Sequence, residues 1–150
     1  MIAWILAAMV LLQPSAPWKD SYAKTAEGIL EGAKREPIFD GSILRTVALD
    51  VSLSWFESRF NPQAVGDNGK SWGLYQFQGH GKPEDVIEQT VIANRLIKES
   101  FRVCKAKPLE DRLGWYAAGG NGCERGLKHS RHRIWKAQWL VRTIAKVGDT

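Results

Sequence analysis

Apolar and polar positions along this chain recur mostly at helical spacing. After an apolar N-terminal stretch, the pattern predicts five helices, over residues 20–34, 43–60, 83–103, 109–118 and 130–146. Pro83, Glu84 and Asp85 are a favourable start for the third helix, and a Gly-Gly pair ends the fourth. The last helix is amphipathic, with the apolar side chains Ile134, Trp135, Leu140, Val141 and Ile144.

The segment between residues 61 and 82 differs from the rest because it is rich in glycine, asparagine and glutamine. Its aromatic residues alternate with polar ones, and Asp67-Asn68-Gly69 is a turn signal. This pattern predicts a loop or a short β-hairpin. The fold class is therefore predicted to be α+β, mostly α, with a central buried helix and one small irregular or β-hairpin segment.

The helix over residues 43–60 is apolar nearly all round, which predicts a central position in the fold. Its polar residues Asp50, Ser54, Glu57 and Asn61 fall on a single stripe, which has to face partners, water or a cleft. Pro62 follows, so Glu57 lies in the last turn, near the mouth of any cleft. Asp50 lies about 10 Å further back along the helix axis and is predicted to cap a helix or brace the core.

Composition adds a preference for an anionic partner. The 150 residues fit one domain, 44% of them are hydrophobic, and the formal net charge is +5. Basic residues are scattered except in the run over residues 128–133, which no nucleic-acid-binding motif surrounds. Nucleic acid is therefore not an expected partner, and the chain is expected to be a monomer.

The first twelve residues are all apolar, which is too short for a membrane span but suits the core of a signal peptide. We therefore divide the chain into residues 1–17, a leader or N-terminal anchor, and residues 18–150, the functional domain. Export to the periplasm or cell wall follows as an expectation. The alternatives are a helix that stays buried in the domain and an uncleaved anchor.

The two cysteines, Cys104 and Cys123, fit two interpretations. In an oxidising compartment they can close one disulfide, worth about 3 kcal/mol in the chain-entropy model. Together with His129 and His132 they also form a set of potential zinc ligands, but no closely spaced cysteine pair supports that set. We predict the disulfide if the protein is exported, and we expect neither metal nor cofactor.

Glu57 is the strongest candidate for a chemical role. Trp55, Phe56 and Phe60 surround it in the sequence, and a carboxyl group among aromatic side chains loses hydration in its charged form. Such surroundings favour the protonated acid, which can donate a proton to a leaving group. The alternative for Glu57 is a structural ion pair with Arg59.

Three motifs in order give this segment a resemblance to a known family, the soluble lytic transglycosylases of the goose-type lysozyme superfamily. Glu57-Ser58 resembles the family's Glu-Ser motif, and residues 59–64 match its usual sequel. Gly73-Leu74-Tyr75-Gln76 resembles its Gly-Leu-Met-Gln motif. Residues 115–119 resemble its Ala-Tyr-Asn-Ala-Gly motif, with Ala117 where asparagine is usual. The resemblance covers residues 43–119.

This resemblance implies a lysozyme-like domain that cleaves the β-1,4 bond between N-acetylmuramic acid and N-acetylglucosamine in peptidoglycan. Glu57 would act first as acid and then as base, and the product would be a 1,6-anhydro sugar. Tyr116 would hydrogen-bond Glu57 and orient it. Ser58 and Gln76 would hold N-acetyl or hydroxyl groups, while Gly73 and Leu74 would line the substrate path.

Two other functions are open alternatives. A goose-type lysozyme-like hydrolase needs a second carboxylate to activate water, and Asp67 is the candidate. A catalytically silent wall-binding component would instead belong to a secretion, pilus or phage assembly, and a phage-encoded lytic protein is a further possibility for the origin of the chain. The intact Glu57 argues against a silent component.

Overall fold

The computed structural model describes residues 1–145, and the final position of the predicted last helix, Lys146, lies outside them. Within these residues six helices and three short strands form the regular structure, and the prediction of a mostly α, α+β fold is confirmed. The helices are α1 Ile2–Leu12, α2 Tyr22–Arg35, α3 Ile43–Ser58, α4 Val86–Val103, α5 Gly114–Ala117 and α6 Leu127–Ala145. The strands are β1 Val65–Gly66, β2 Ser71–Trp72 and β3 Phe77–Gln78.

Helix α3 is the central helix, as predicted. It packs against α1, α2 and α6, and each of its residues from 46 to 54 is buried. Ser42 caps its start by accepting a hydrogen bond from the Arg45 backbone N–H at 3.3 Å. The helix ends two residues before the predicted boundary because Arg59 and Phe60 adopt left-handed backbone conformations, with φ of 55° and 67°. This turn directs Phe60 into the core.

Helices α2 and α4 cross at very short distance, and two glycines of α2 allow it. A Cβ atom on Gly28 would lie 2.6 Å from the Cβ of Val86, and one on Gly32 would lie 2.5 Å from the Cβ of Thr90. Helix α4 begins at Val86, later than predicted, because Asp85 acts as its N-cap and accepts a hydrogen bond from the Ile87 N–H at 2.9 Å.

The small sheet lies between α3 and α4 in the chain and is antiparallel, in the order β1-β2-β3. The predicted turn at residues 67–69 joins β1 to β2, and β3 adds a strand beyond the predicted hairpin. The buried amide of Gln89 on α4 holds this segment in place. Its Oε1 accepts a hydrogen bond from the Leu74 N–H at 2.7 Å, and its Nε2 donates to the carbonyls of Pro62 and Pro83.

The predicted helix over residues 109–118 is divided into a 3₁₀ turn, Leu109–Asp111, and the short α5. Gly114 at the start of α5 lies so close to the chain at Cys123 that a Cβ atom there would meet the Cys123 carbonyl oxygen at 2.1 Å. A disulfide joins Cys104 to Cys123, as predicted. The two cysteines are therefore bonded to each other and are not available to the alternative zinc set.

Helix α1 packs on the domain, which agrees with the alternative that the apolar N-terminal stretch is a helix buried in the domain. Ile5, Ala8 and Met9 are fully buried, and the Gln13 side chain just after the helix accepts a hydrogen bond from Trp55 Nε1 at 3.2 Å. Whether residues 1–17 are removed stays a prediction. Within residues 1–145, no helix has the length and the apolar character that crossing a membrane requires.

Helix α6 starts at Leu127, three residues before the predicted boundary. Ile134, Leu140 and Ile144 are buried as its amphipathic pattern predicts. Trp135, which the same pattern lists as apolar, is 51% exposed and lies outside the packed side of the helix. The helix covers α3 with an inward side that also includes Arg133.

Asp50 braces the core, as predicted. It is fully buried, and its Oδ2 accepts a hydrogen bond from Asn94 Nδ2 of α4 at 3.2 Å. The same Nδ2 donates to the Glu36 carbonyl at 3.0 Å, so one amide ties α3 and α4 to the end of α2. Burial raises the pKa of the Asp50 carboxyl well above its usual range, although the hydrogen bond from Asn94 opposes the shift.

This shift makes stability depend on pH. A carboxyl group whose pKa is higher in the folded protein binds its proton more tightly there, so stability falls as the pH rises from about 4 through the folded pKa. Asp50→Asn keeps the shape and removes the titration, and we expect it to abolish this fall. Urea unfolding of both proteins across the pH range measures it, with the exposed Asp40→Asn as control. Parallel stability curves for wild type and Asp50→Asn would contradict the assignment.

Candidate active site

Glu57 lies in the last turn of α3, and Arg133 of α6 is its partner. Arg133 Nη2 and Nε donate hydrogen bonds to the same carboxylate oxygen, Oε1, at 2.8 Å and 3.2 Å. The Arg133 side chain is only 10% exposed and that of Glu57 is 26% exposed. Glu57 Oε2 makes no hydrogen bond within the described residues. The pair therefore orients the carboxyl group and leaves one oxygen available.

The partner differs from both sequence-based expectations for Glu57. Arg59, the alternative ion-pair partner, instead stacks its guanidinium on the Trp55 ring at 4.1 Å and donates to the Trp55 carbonyl. Aromatic surroundings are present on one side, where the Phe56 ring lies 4.7 Å from the Arg133 guanidinium carbon. The aromatic surroundings of Glu57 are therefore shared with a nearly buried cation, Arg133, which the sequence pattern did not predict.

Glu57 opens into a cleft of about 590 Å³ between the sheet and the segment around α5. A cavity of this volume is typical of small-molecule sites. Residues from all three sequence motifs line it, which brings together positions far apart in the chain. The lining consists of Glu57, Asp67, Tyr75, Gln76, Phe77, Gln78, His80, Leu96 and residues 115–121.

Ser58 does not line the cleft, contrary to the expectation from the resemblance. Its Oγ donates to the Leu74 carbonyl at 2.8 Å or the Ser54 carbonyl at 3.1 Å, and it accepts a hydrogen bond from the Asn61 N–H. A hydroxyl group has one proton and two lone pairs, so these contacts use its proton and one of its lone pairs. Ser58 therefore joins the end of α3 to the sheet segment.

Gln76 lines the cleft, but both protons of its amide group serve the local fold. Its Nε2 donates to the carbonyls of Ala64 and Gly73 at 3.0 Å and 2.9 Å, and its backbone is left-handed with φ of 52°. Only its Oε1 is left for a ligand, and this oxygen lies against Gly66. The expected role in holding substrate groups is therefore restricted to one acceptor.

Gly73 and Leu74 do not line the cleft. Gly73 has a φ of 78°, and a Cβ atom there would lie 2.5 Å from Gln89 Oε1. Its close approach is thus to helix α4 and not to a substrate. Leu74 is fully buried in the core. The Gly-Leu-x-Gln motif accordingly shapes the wall of the cleft and contributes Tyr75 and Gln76 to its surface.

Tyr116 lies in the cleft wall beside Glu57, but the expected hydrogen bond between them is absent. Its hydroxyl group is buried and has no hydrogen-bond partner in the part of the chain that the structure describes. Burial, and then the negative charge of Glu57, raise the pKa of Tyr116 well above its usual range. The phenol is therefore neutral at physiological pH. It interacts with the charge of Glu57 through space and makes no hydrogen bond to the carboxyl oxygens.

Asp67 is the second carboxylate of the cleft. Its Oδ2 accepts hydrogen bonds from Ser71 Oγ and from Gln78 Nε2, at 2.5 Å and 3.1 Å, which fix it to β2 and β3. Its backbone has a φ of 50°, as an Asp in a turn tolerates. Asp67 thus has a structural role in the turn and also faces the cavity that Glu57 faces.

Arg133 is the site residue that sequence reasoning missed, because it was considered only as part of the basic run. A signal was available: Ser130, Arg133, Ala137, Leu140 and Ile144 follow one another at helical spacing, so Arg133 falls on the inward side of α6. A buried cation requires an anionic partner. Its side chain spans to Glu57, 76 positions away in the chain.

A larger cavity, of about 900 Å³, lies between α2, residues 61–63 and the start of α4. It contains none of Glu57, Gln76 and Tyr116, so the motif residues favour the smaller cleft as the candidate active site.

Comparisons of the chain with protein-family models, with curated proteins and with solved structures found no match. The site is therefore interpreted from its own geometry and from the motifs.

Proposed function

We propose that this protein is a peptidoglycan lytic transglycosylase that cleaves the bond between N-acetylmuramic acid and N-acetylglucosamine. The observation that carries the proposal is the position of Glu57: a partly exposed carboxyl group, oriented by a buried arginine, at a cleft that residues of all three motifs line. The family resemblance supplies the substrate, and the glycan strands of peptidoglycan are the proposed partner. Such a substrate requires export, to the periplasm or the cell wall.

In the first step Glu57 Oε2 carries the proton, and it protonates the glycosidic oxygen as the bond from that oxygen to muramic C1 breaks. The carboxylate that remains is stabilised by the two hydrogen bonds from Arg133 to Oε1. This assists release of the proton to the leaving oxygen.

In the second step the carboxylate acts as a base. It takes the proton of the muramic C6 hydroxyl group while that oxygen bonds to C1, which gives the 1,6-anhydro product and restores the protonated Glu57. No water is consumed. The C6 hydroxyl belongs to the same sugar ring, so tethering replaces a second catalytic carboxylate.

Digestion of purified sacculi, followed by mass spectrometry of the soluble fragments, tests this function. A transglycosylase releases fragments with anhydro ends, each lighter by one water than the corresponding hydrolysed fragment. Fragments with reducing ends, made with comparable efficiency, would instead support the second candidate function, a lysozyme-like hydrolase. The position of Asp67 at the same cavity favours that candidate, because an inverting hydrolase needs a base facing the acid.

Asp67→Asn separates the two functions. In the transglycosylase mechanism the C6 hydroxyl needs no second carboxylate, so we expect the variant to keep the anhydro product and to lose less than about tenfold in rate. Asparagine retains an oxygen for Ser71 and Gln78, which protects the turn. The measurement is fragment release and fragment mass beside wild type. A loss as complete as that of Glu57→Gln, with reducing-end fragments from wild type, would identify the hydrolase.

A further inference from the structure

The outer side of α6 combines cations and aromatic rings. Trp135 and Trp139 are 51% and 39% exposed although each has a large apolar surface. They occur on one stripe, with exposed basic residues before and after them at helical spacing: Lys128, His132, Trp135, Trp139 and Arg142. The sequence of α6 contains no Asp or Glu. We call these five residues the α6 stripe.

Side-chain contacts extend this stripe to the end of α3. Lys136 Nζ lies 4.8 Å from the centre of the Trp139 ring and 5.4 Å from that of Trp55. The guanidinium of Arg59 covers the Trp55 ring at 4.1 Å. Lys136 and Arg59 are thus held over aromatic faces, and within residues 1–145 neither is paired with an acidic group, so the surface keeps its positive charge.

The same contacts lead on to α1, whose outer side is apolar. Trp55 Nε1 donates to Gln13, which directly follows α1, and α1 also packs against α6. Val10 and Leu11, near that end of α1, are 43% and 48% exposed. Six of the eight exposed large apolar residues of the described chain lie on α6, on α1 or at the N-cap of α1: Met1, Ile2, Val10, Leu11, Trp135 and Trp139.

We propose that the outer side of α1 and the α6 stripe together bind the surface of an anionic phospholipid bilayer. Exposed apolar clusters rimmed by polar residues mark interaction sites. On a membrane the aliphatic side chains of α1 enter the boundary of the acyl region, tryptophan rings lie at the headgroup level, and lysine and arginine face lipid phosphates. At about 1.5 Å per residue α1 is about half as long as the hydrocarbon core is thick, so the binding is peripheral.

The aliphatic side chains decide between a membrane and other anionic partners. A nucleic acid or an acidic polymer satisfies the cations, and its bases or sugars can stack on tryptophan. Neither removes Val10 and Leu11 from water, whereas a bilayer does. The proposal does not depend on the reaction at Glu57, since none of the residues of the surface lines the cleft.

Flotation of the full chain with vesicles tests the proposal. We expect binding to vesicles of equal parts phosphatidylcholine and phosphatidylglycerol, much weaker binding to phosphatidylcholine alone, and a decrease with added salt. Replacing both Trp135 and Trp139 by serine should weaken binding roughly tenfold or more, and Leu11→Ser should weaken it as well. Val103→Ser is the matched control, since Val103 is 41% exposed on α4, outside this surface.

Thermal unfolding of each variant, followed by circular dichroism, checks that the substitutions leave the fold intact. Two results with vesicles would overturn the proposal: no binding of the wild-type chain to the mixed vesicles, or unchanged binding of the tryptophan variant. A third would be binding of the chain to a soluble polyanion as tightly as to the vesicles, with Leu11→Ser weakening neither interaction. Self-association that covers α1 and α6, detected by light scattering with loss of vesicle binding, would also overturn it.

Discussion

Glu57→Gln is expected to lower the rate of peptidoglycan solubilisation by about 10²–10⁴-fold, because it removes proton transfer to and from the glycosidic bond. The substitution preserves shape, and the amide oxygen of glutamine can still accept hydrogen bonds from Arg133 at the present Oε1 position. The loss should therefore appear in turnover and not in folding. Release of soluble fragments from sacculi measures turnover, and urea unfolding measures stability.

The matched control is Glu99→Gln, which neutralises an exposed glutamate that pairs with Arg102 on α4, away from the cleft. It should retain wild-type turnover. A Glu57→Gln variant that solubilises the wall within about twofold of wild type would remove Glu57 from the chemistry. That result would not contradict the proposed membrane binding, since vesicle binding is measured without a peptidoglycan substrate.

Arg133→Met is expected to lower kcat by about 10²-fold with little change in KM. Two hydrogen bonds from Arg133 orient the Glu57 carboxyl, and a misplacement of about 1 Å at a reacting group costs this much. Arg133→Lys should recover part of the loss, because an ammonium group supplies the charge without the planar pair of donors. Kinetics on soluble glycan fragments separate kcat from KM.

Two comparisons distinguish this positioning role from a merely structural one. Arg95→Met removes an exposed arginine that pairs with Glu36, and it should leave kcat unchanged. In the double variant with Glu57→Gln, loss of Arg133 should cause almost no further decrease, since residues that act as a unit are not additive. Fully multiplicative losses, or a stable Arg133→Met with normal kcat, would show that Arg133 does not act through Glu57.

The sequence alone determined the parts of this protein that depend on local pattern. The helical periods located α2, α3, α4 and α6 to within a few residues, and the apolar character of α3 identified the central helix. The polar stripe on α3 identified both Asp50 as a brace and Glu57 as the residue facing a cleft. These results follow from spacing along one helix, which is a property of neighbouring residues.

Boundaries were less predictable because side chains and strained turns decide them. The N-cap at Asp85 makes α4 begin later in the chain than predicted. The left-handed turn at Arg59 and Phe60 makes α3 end earlier than predicted. The close approach of Gly114 to Cys123 divides the predicted helix at α5. In each case a contact or a backbone conformation overrides the average preference of the segment.

Only the tertiary structure decided which side chains meet. The pairing of Glu57 with Arg133 joins α3 to α6 across 76 positions, and nothing in the periodicity of either helix specifies a partner at that separation. Ser58, Gly73 and Leu74 were plausible substrate contacts by motif, yet Ser58 Oγ bonds to backbone atoms, Gly73 lies against Gln89, and Leu74 is buried. Periodicity determines the side of a helix on which a residue lies, whereas packing of the elements determines what that side contacts.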